Sequence, residues 1–546
     1  MSLKNVNYVE SGISMTLKAR CWRLRAFMTK HHRNKEFKMD NTAYPALNEL
    51  FVFLNTTLTN ISIFYSRIPG SGILLKYIKN SHQNDPFRTV LEVMLLVFGI
   101  IYLYKNKYRT DNSFIELTPK EIEDLVEEWQ PDPLLPKITE EQKRELDKVP
   151  IINGSTGPRV KLMNGKTVMN LGNFDFLGFS INEHLKEKAI ETLRHYGVGS
   201  CGPPGFYGTI DVHTEFERTL SEFLGTEGTI LYSQGFSTIG SAIPSFCKRG
   251  DIIVADEGCN FAIQKGIQIS RSSIKWYKHN DMKDLEKILQ KIKDEDIETG
   301  RRLTRRFIVT EGIFENYGDI SPLPKLIELK KKFKYRLILD ETFSIGTLGK
   351  RGAGLTDYFD VNPQEVDMIV GSMCHALHSS GGFCSGSFEI TDYQRISGPA
   401  YVFSAALPAM LAVCATESLL HLSRNPYLPA TILSNTKSFK NALSHVKYIK
   451  VEGSLDSPIF HLRLNDDVIK VDSSDEKDKL LQEIVDEAMN NGILLTRAKY
   501  LRSQEIFDVE PSIRICITAS FTKKEIEKAA STIKNVVNKV LKNKIR

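Results

Sequence analysis

The chain has 546 residues, 41% of them hydrophobic and 25% charged, which suits a large globular core with further segments and excludes wholesale disorder. The formal net charge is +6, and residues 1–40 carry nine Lys/Arg against Glu10, Glu36 and Asp40. The remainder is therefore neutral, which argues against a nucleic-acid partner.

Eight cysteines lie without paired spacing, as in a reduced cytosolic domain. Residues 1–43 form a basic extension without the long apolar core of a signal peptide. It reads as a targeting arm or as an extension without a role, with Met39 an alternative start. Residues 44–110 read as a membrane-associated region. The stretch 44–78 alternates apolar and polar residues, as an interfacial segment does. Asn55 and Asn60 lie in sequons that matter only on a lumenal side. Val90–Tyr104 is the longest apolar run. Extended by Phe87, Arg88, Thr89 and Lys105, it predicts one transmembrane helix at about 88–105, with a buried core helix as the alternative. Flanking cations balance, so orientation stays open.

Residues 111–167 are charged and proline-punctuated, as in a linker and N-terminal arm. From 168 to 424, short apolar runs alternate with amphipathic helices. Strands are expected at 228–232, 251–255, 306–310, 335–340 and 367–371. This pattern predicts an α/β domain with a mostly parallel sheet. Residues 425–546 read as a smaller α+β domain, with a strand at 512–517 and a closing helix at 523–541. The Lys/Glu-rich helices at 283–297 and 523–545 are expected to present solvated faces.

Ligands of such sheets bind at the carboxyl ends of strands. Asp340 ends one strand, and a second delivers Gly371-Ser-Met-Cys-His375, closed by Gly381-Gly382. An aspartate there can keep the pyridine nitrogen of pyridoxal phosphate (PLP) protonated. The second loop looks like the lysine loop of a PLP enzyme, with His375 in place of the lysine. Imidazole cannot form the Schiff base that such a lysine makes. His375 with Cys374, His378 and Cys384 lacks a zinc spacing, so no metal is expected. Lys350 is expected to face solvent or phosphate rather than replace the lysine.

Several stretches now point to a family. They are Asn173-Phe-Asp-Phe-Leu-Gly178, Tyr196-Gly-Val-Gly-Ser-Cys-Gly-Pro-Pro-Gly-Phe-Tyr-Gly208, His213-Thr-Glu-Phe-Glu217, Val309–Pro324 and Pro511-Ser-Ile-Arg514. From about 168 to 540 the chain resembles the α-oxoamine synthases, PLP enzymes that condense an amino acid with an acyl-CoA. Gly197–Gly208, Phe261-Ala-Ile-Gln-Lys-Gly266 and Tyr401-Val-Phe-Ser-Ala-Ala-Leu-Pro408 are similar to the lysine-lacking subunits of eukaryotic serine palmitoyltransferases. The resemblance implies a type I PLP-dependent aminotransferase fold with an N-terminal membrane helix, at the endoplasmic reticulum with the PLP-fold domain in the cytosol.

The departures and matches are also what the resemblance implies. Catalytic relatives place histidines where Asn260 and Phe343 stand, so three cofactor-handling positions are changed. Asp340 and Arg514 match the family, the arginine as a partner for a substrate carboxylate. Without the lysine, neither shows that this chain binds PLP. Ser404 matches a position that contacts the partner's PLP phosphate, and Cys201 and Tyr207 lie in a turn close to the partner's active site. The implied role is a subunit with no catalytic residue of its own. A lysine-bearing homologue would hold PLP covalently and condense L-serine with palmitoyl-CoA to 3-ketodihydrosphingosine. Small regulatory membrane proteins are possible further partners. A scaffold or regulatory binding protein on a degenerate PLP fold is the alternative.

Overall fold

The computed structural model describes residues 86–105 and 117–546, apart from 132, 136, 472, 543, 545 and 546. The basic extension, the stretch at 44–78 and both sequons lie outside the described residues. Two compact units are present, one ending at Lys137 and one beginning at Ile138.

In the first unit, the apolar run falls within helix α1 (Pro86–Lys105). Its Met94, Leu96 and Phe98 are exposed. Helix α2 (Pro119–Glu128) starts at a capping box, in which Thr118 and Glu121 each accept the other's backbone N–H. Among the described residues no helix is long and apolar enough to cross a membrane. This corrects the membrane-spanning helix expected at about 88–105. Arg88 and Glu92 fall inside α1, so its uninterrupted apolar run stays short of the roughly 20 residues that a span takes.

The second unit opens with helix α3 (Glu140–Asp147) and an antiparallel pair, β1 (Arg159–Lys161) and β2 (Thr167–Asn170). Helix α4 (Glu183–Tyr196) is capped by Asn182, whose side chain accepts from Leu185 N. Helix α5 (Asp211–Leu224) stops at Gly225, left-handed at φ 77°. The alternation read from the sequence follows: β3 (Gly228–Tyr232), α6 (Gly235–Phe246), β4 (Ile252–Asp256), α7 (Phe261–Ser270), β5 (Ser273–Tyr277), α8 (Met282–Thr299), β6 (Arg306–Glu311), α9 (Leu323–Phe333), β7 (Arg336–Asp340), β8 (Met368–Ser372) and β9 (Gly382–Gly386).

These strands form one sheet in the order β3-β9-β8-β7-β6-β4-β5. Strand β9 runs antiparallel to both neighbours, and the other pairings are parallel. Alternate residues feed two cores, as the two-residue period of a strand requires. Ile252, Val254, Leu337 and Leu339 join one cluster. Ile253, Ala255, Ile338 and Val370 join the other. A sheet buried on both faces explains why its strands read as continuous apolar runs.

Helix α10 (Ala409–Arg424) packs on α4 and α5. The C-terminal part comprises α11 (Leu428–Leu443), β10 (Ile449–Glu452), β11 (Ile459–Leu464), α12 (Ser474–Asn490), β12 (Ile493–Leu494), β13 (Thr496–Arg497), β14 (Ile513–Cys516) and α13 (Lys523–Lys542). Its main sheet runs β10-β11-β14-β13 and is antiparallel. Ile526, Ala530, Ile533, Val537 and Leu541 form a buried stripe on α13, and each large side chain so buried contributes roughly 1.5–3 kcal/mol. The Lys/Glu-rich helices α8 and α13 are therefore amphipathic, with one face in the core. Strand β12 pairs parallel with β2, so the early β1–β2 pair is tied to the C-terminal part.

Candidate functional site

Strands β7 and β8 pair in parallel, with Asp340 opposite Val370. Asp340 and the loop after Ser372 therefore emerge at the same, carboxyl ends of the two strands. Asp340 is buried and accepts from Thr342 N at 2.9 Å. Burial raises its pKa, while hydrogen bonds from Thr342 and the Asn260 side chain oppose the rise. Glu311, which ends β6, is also buried, and burial with the nearby Asp340 pushes its carboxyl well up. It accepts from Asn260 N at 2.6 Å and from Glu315 N at 3.2 Å. Asn260 itself caps α7, accepting from Ile263 N at 3.1 Å. Its carboxamide is therefore employed as a helix cap and as a partner of Asp340.

His375 sits against two phenylalanines. Its ring is 4.7 Å from Phe174, edge-on, and 4.7 Å from Phe343. The phenylalanines are themselves 5.0 Å apart, so the three rings close on one another within the favourable range of aromatic pairs. His375 Nδ1 is enclosed and has no hydrogen-bond partner. Burial, with the Arg514 charge nearby, lowers its pKa to about 4, so the imidazole is neutral at neutral pH. Gly381 and Gly382 allow the loop to return as β9. A Cβ on Gly381 would meet Tyr232 O and Met373 Cε, and one on Gly382 would overlap Thr238 Oγ1.

Arg514, on β14, caps this cluster. Its guanidinium lies 4.4 Å over the Phe174 ring, and its Nη1 is 2.9 Å from Glu315 Oε1. The loop bearing Glu315 is pinned from the small domain. His461 Nε2 donates to Glu315 O at 2.9 Å, while its Nδ1 accepts from Ser512 Oγ at 2.8 Å. Arg463 Nη2 donates to Asn316 O at 3.2 Å. Phe174, Glu315, His461 and Arg463 were not singled out from the sequence. The available signal was an additional carboxylate in Val309–Pro324, whose partner lies 199 residues away.

Cys201 is exposed, with φ 55°, and Tyr207 is fully exposed, with φ 63°. Ser404 is half-buried, and its Oγ lies 3.1 Å from Ser233 Oγ. Lys350 is exposed, and Cys384 is buried inside β9.

The aminotransferase class I and II model matches residues 166–533. Serine palmitoyltransferase 1 of Saccharomyces cerevisiae is 37% identical over 533 residues, covering 89% of this chain and 94% of that protein. Long chain base biosynthesis protein 1 of Arabidopsis thaliana is 39% identical, covering 83% of this chain and 91% of its own length. The chain belongs to the serine palmitoyltransferase 1 family of class I and II aminotransferases. Among solved structures, serine palmitoyltransferase of Sphingomonas wittichii superposes with a TM-score of 0.65 at 22% identity, over 74% of this chain and 97% of that one. An 8-amino-7-oxononanoate synthase from Francisella tularensis gives 0.55 at 24% identity, over 68% and 98%. These likenesses establish the type I aminotransferase fold.

PLP is the cofactor of the fold family, and the residues of this chain do not fit its covalent attachment. His375 offers no primary amine, and its enclosed ring is packed against Phe174 and Phe343. Arg514 already has a carboxylate partner in Glu315.

Proposed function

We propose that this chain is the lysine-lacking subunit of a serine palmitoyltransferase. A homologous partner would hold PLP through its own lysine and condense L-serine with palmitoyl-CoA to 3-ketodihydrosphingosine, the first step of sphingolipid synthesis. The observation that carries this reading is the ring cluster of His375, Phe174 and Phe343 at the lysine position. An enclosed, neutral imidazole there neither attaches the cofactor nor transfers a proton readily near neutral pH.

The chain's contribution is then to the partner's pocket. Ser404 would offer a hydroxyl to the partner's PLP phosphate, and the turn bearing Cys201 and Tyr207 would line the approach to it. A hydroxyl can donate to a phosphate oxygen, and a hydrogen bond to a charged acceptor is stronger than a neutral one. Asp340 and Arg514 keep family positions but serve the chain's own interior. The exposed apolar residues of α1 support attachment to a membrane; the endoplasmic reticulum, with the PLP-fold domain on the cytosolic side, follows from the family resemblance. Small regulatory membrane proteins would bind in the same region.

The test is expression of the chain alone and with a lysine-bearing homologue. The readouts are the visible absorbance of lysine-bound PLP and serine-dependent condensation. The pair is expected to show both and this chain alone neither. Activity of the chain alone overturns the reading. A pair that works equally well with the Cys201 and Ser404 turns scrambled marks the chain as a scaffold instead.

A further inference from the structure

The Cys201 and Ser404 turns lie far apart in sequence and outside regular secondary structure, so their placement depends on cross-links. Four such links hold the second turn. Ala406 N donates to Gly202 O at 2.9 Å. Ser200 Oγ donates to Ala406 O at 2.8 Å, across 206 residues. His213 Nε2 donates to Leu407 O at 2.6 Å, while its Nδ1 accepts from Ile210 N at 3.2 Å. Arg395 Nη1 donates to Tyr401 OH at 3.0 Å, and its Nη2 is paired with Glu217 Oε2 at 2.9 Å. Two of these bonds satisfy both backbone groups of Ala406, one from each flank of Cys201. The peptide of Ala406 is thereby clasped by Ser200 and Gly202.

The clasp has little freedom. Gly202 and Gly208 pack so closely that a Cβ on Gly208 would overlap Gly202 O and Pro203 O. Cys201 between the clasping residues is held at φ 55°, a left-handed conformation that an L-residue keeps only when its surroundings impose it. His213, on α5, and Arg395, on the helix Phe388–Ser397, hold the same segment at Leu407 and Tyr401.

We propose that Ser200 is a positioning residue for Ser404. Its hydroxyl joins the two turns so that both reach the partner's cofactor pocket as one unit. The inference rests on the shared-site reading above and adds to it a residue that touches neither cofactor nor substrate.

The test uses the assembled complex with its lysine-bearing partner. PLP is removed and titrated back, following the visible absorbance of the lysine-bound cofactor, for the wild type, Ser200→Ala, Ser200→Thr and Ser404→Ala. Ser200→Ala is expected to weaken PLP retention about 3- to 10-fold, the loss of one hydrogen bond. At saturating PLP kcat should stay near wild type, and Ser200→Thr, which keeps the hydroxyl, should restore affinity. If Ser404→Ala weakens PLP retention and Ser200→Ala does not, the positioning role is overturned and the shared site stands. If neither variant changes PLP retention, the shared-site reading itself fails. Failure of both Ser200→Ala and Ser200→Thr to assemble also overturns the positioning role, because the residue is then structural.

Discussion

Arg514 faces Glu315 across 2.9 Å. Here a carboxylate of the same chain holds it, on a loop fixed by His461 and Arg463. The same guanidinium covers Phe174, which packs on His375 and Phe343. The ion pair and the rings are therefore one packed unit beyond the carboxyl ends of β7 and β8.

Removing Glu315 should leave a mostly buried guanidinium without its counter-charge. Both side chains keep some solvent contact, so Glu315→Ala is expected to cost about 1–2 kcal/mol, less than a fully buried pair. Denaturant midpoints of Glu315→Ala, Arg514→Met and the double variant check this. A double variant as unstable as the sum of the singles would show that the two residues are not coupled.

His375→Lys should not create an enzyme. The new amine would enter a space bounded by Phe174 and Phe343 and near Arg514, which favours its neutral form by desolvation and like charge. Positions 260 and 343 would still carry Asn260 and Phe343, neither of which offers an imidazole. The expected result, without a partner, is no condensation of L-serine with palmitoyl-CoA. A competent variant chain refutes the expectation.

Acid should loosen this region. An unfolded histidine takes up its proton near 6.5, whereas folded His375 does so near 4 and His461 near 3. Between those values the unfolded chain binds more protons, so their contribution falls as pH is lowered from about 6.5. Glu341 works oppositely, because burial raises its pKa to about 7, and its contribution falls as pH rises toward that value. The difference between wild type and His375→Phe isolates the histidine. The stability of the wild type relative to His375→Phe should decline from pH 6.5 to 4. A difference that does not change with pH would be the contrary result.

Gly205 and Gly208, three residues apart in the same turn, should respond differently to substitution. Gly208→Ala brings a Cβ onto the Gly202 and Pro203 carbonyls, whereas a Cβ on Gly205 meets nothing within 4 Å. Gly208→Ala is expected to lower the melting temperature by several degrees, as a loss of about 1–3 kcal/mol would. Gly205→Ala should be nearly silent. Equal melting temperatures for the two variants would show that the turn adjusts freely.

Much of the large domain was legible because its strands are buried on both faces. The runs at 228–232, 306–310 and 367–371 appear as β3, β6 and β8, with ends shifted by a residue at most. Strands β5 and β9 were not read. The first is Ser-Ile-Lys-Trp-Tyr, half exposed at the sheet edge, and the second is Gly-Phe-Cys-Ser-Gly, which carries little apolar signal. The apolar run at 90–104 was legible as a helix. The membrane span read into it was not borne out among the described residues, because Arg88 and Glu92 keep the uninterrupted apolar run too short.

The sequence by itself determined the absence of an amine at position 375 and the presence of Asn260 and Phe343, since those are matters of side-chain identity. It also determined the alternating α/β pattern, because burial on two faces imposes apolar runs. Only the tertiary structure decided what the altered position became. Phe174, Phe343 and Arg514 are distant in the chain, and their convergence on His375 depends on strand pairing and on the small domain docking its β11 and β14 over the loop at 314–318. The same holds for Ser200 and Ala406, which meet only because packing brings two irregular turns within hydrogen-bond reach.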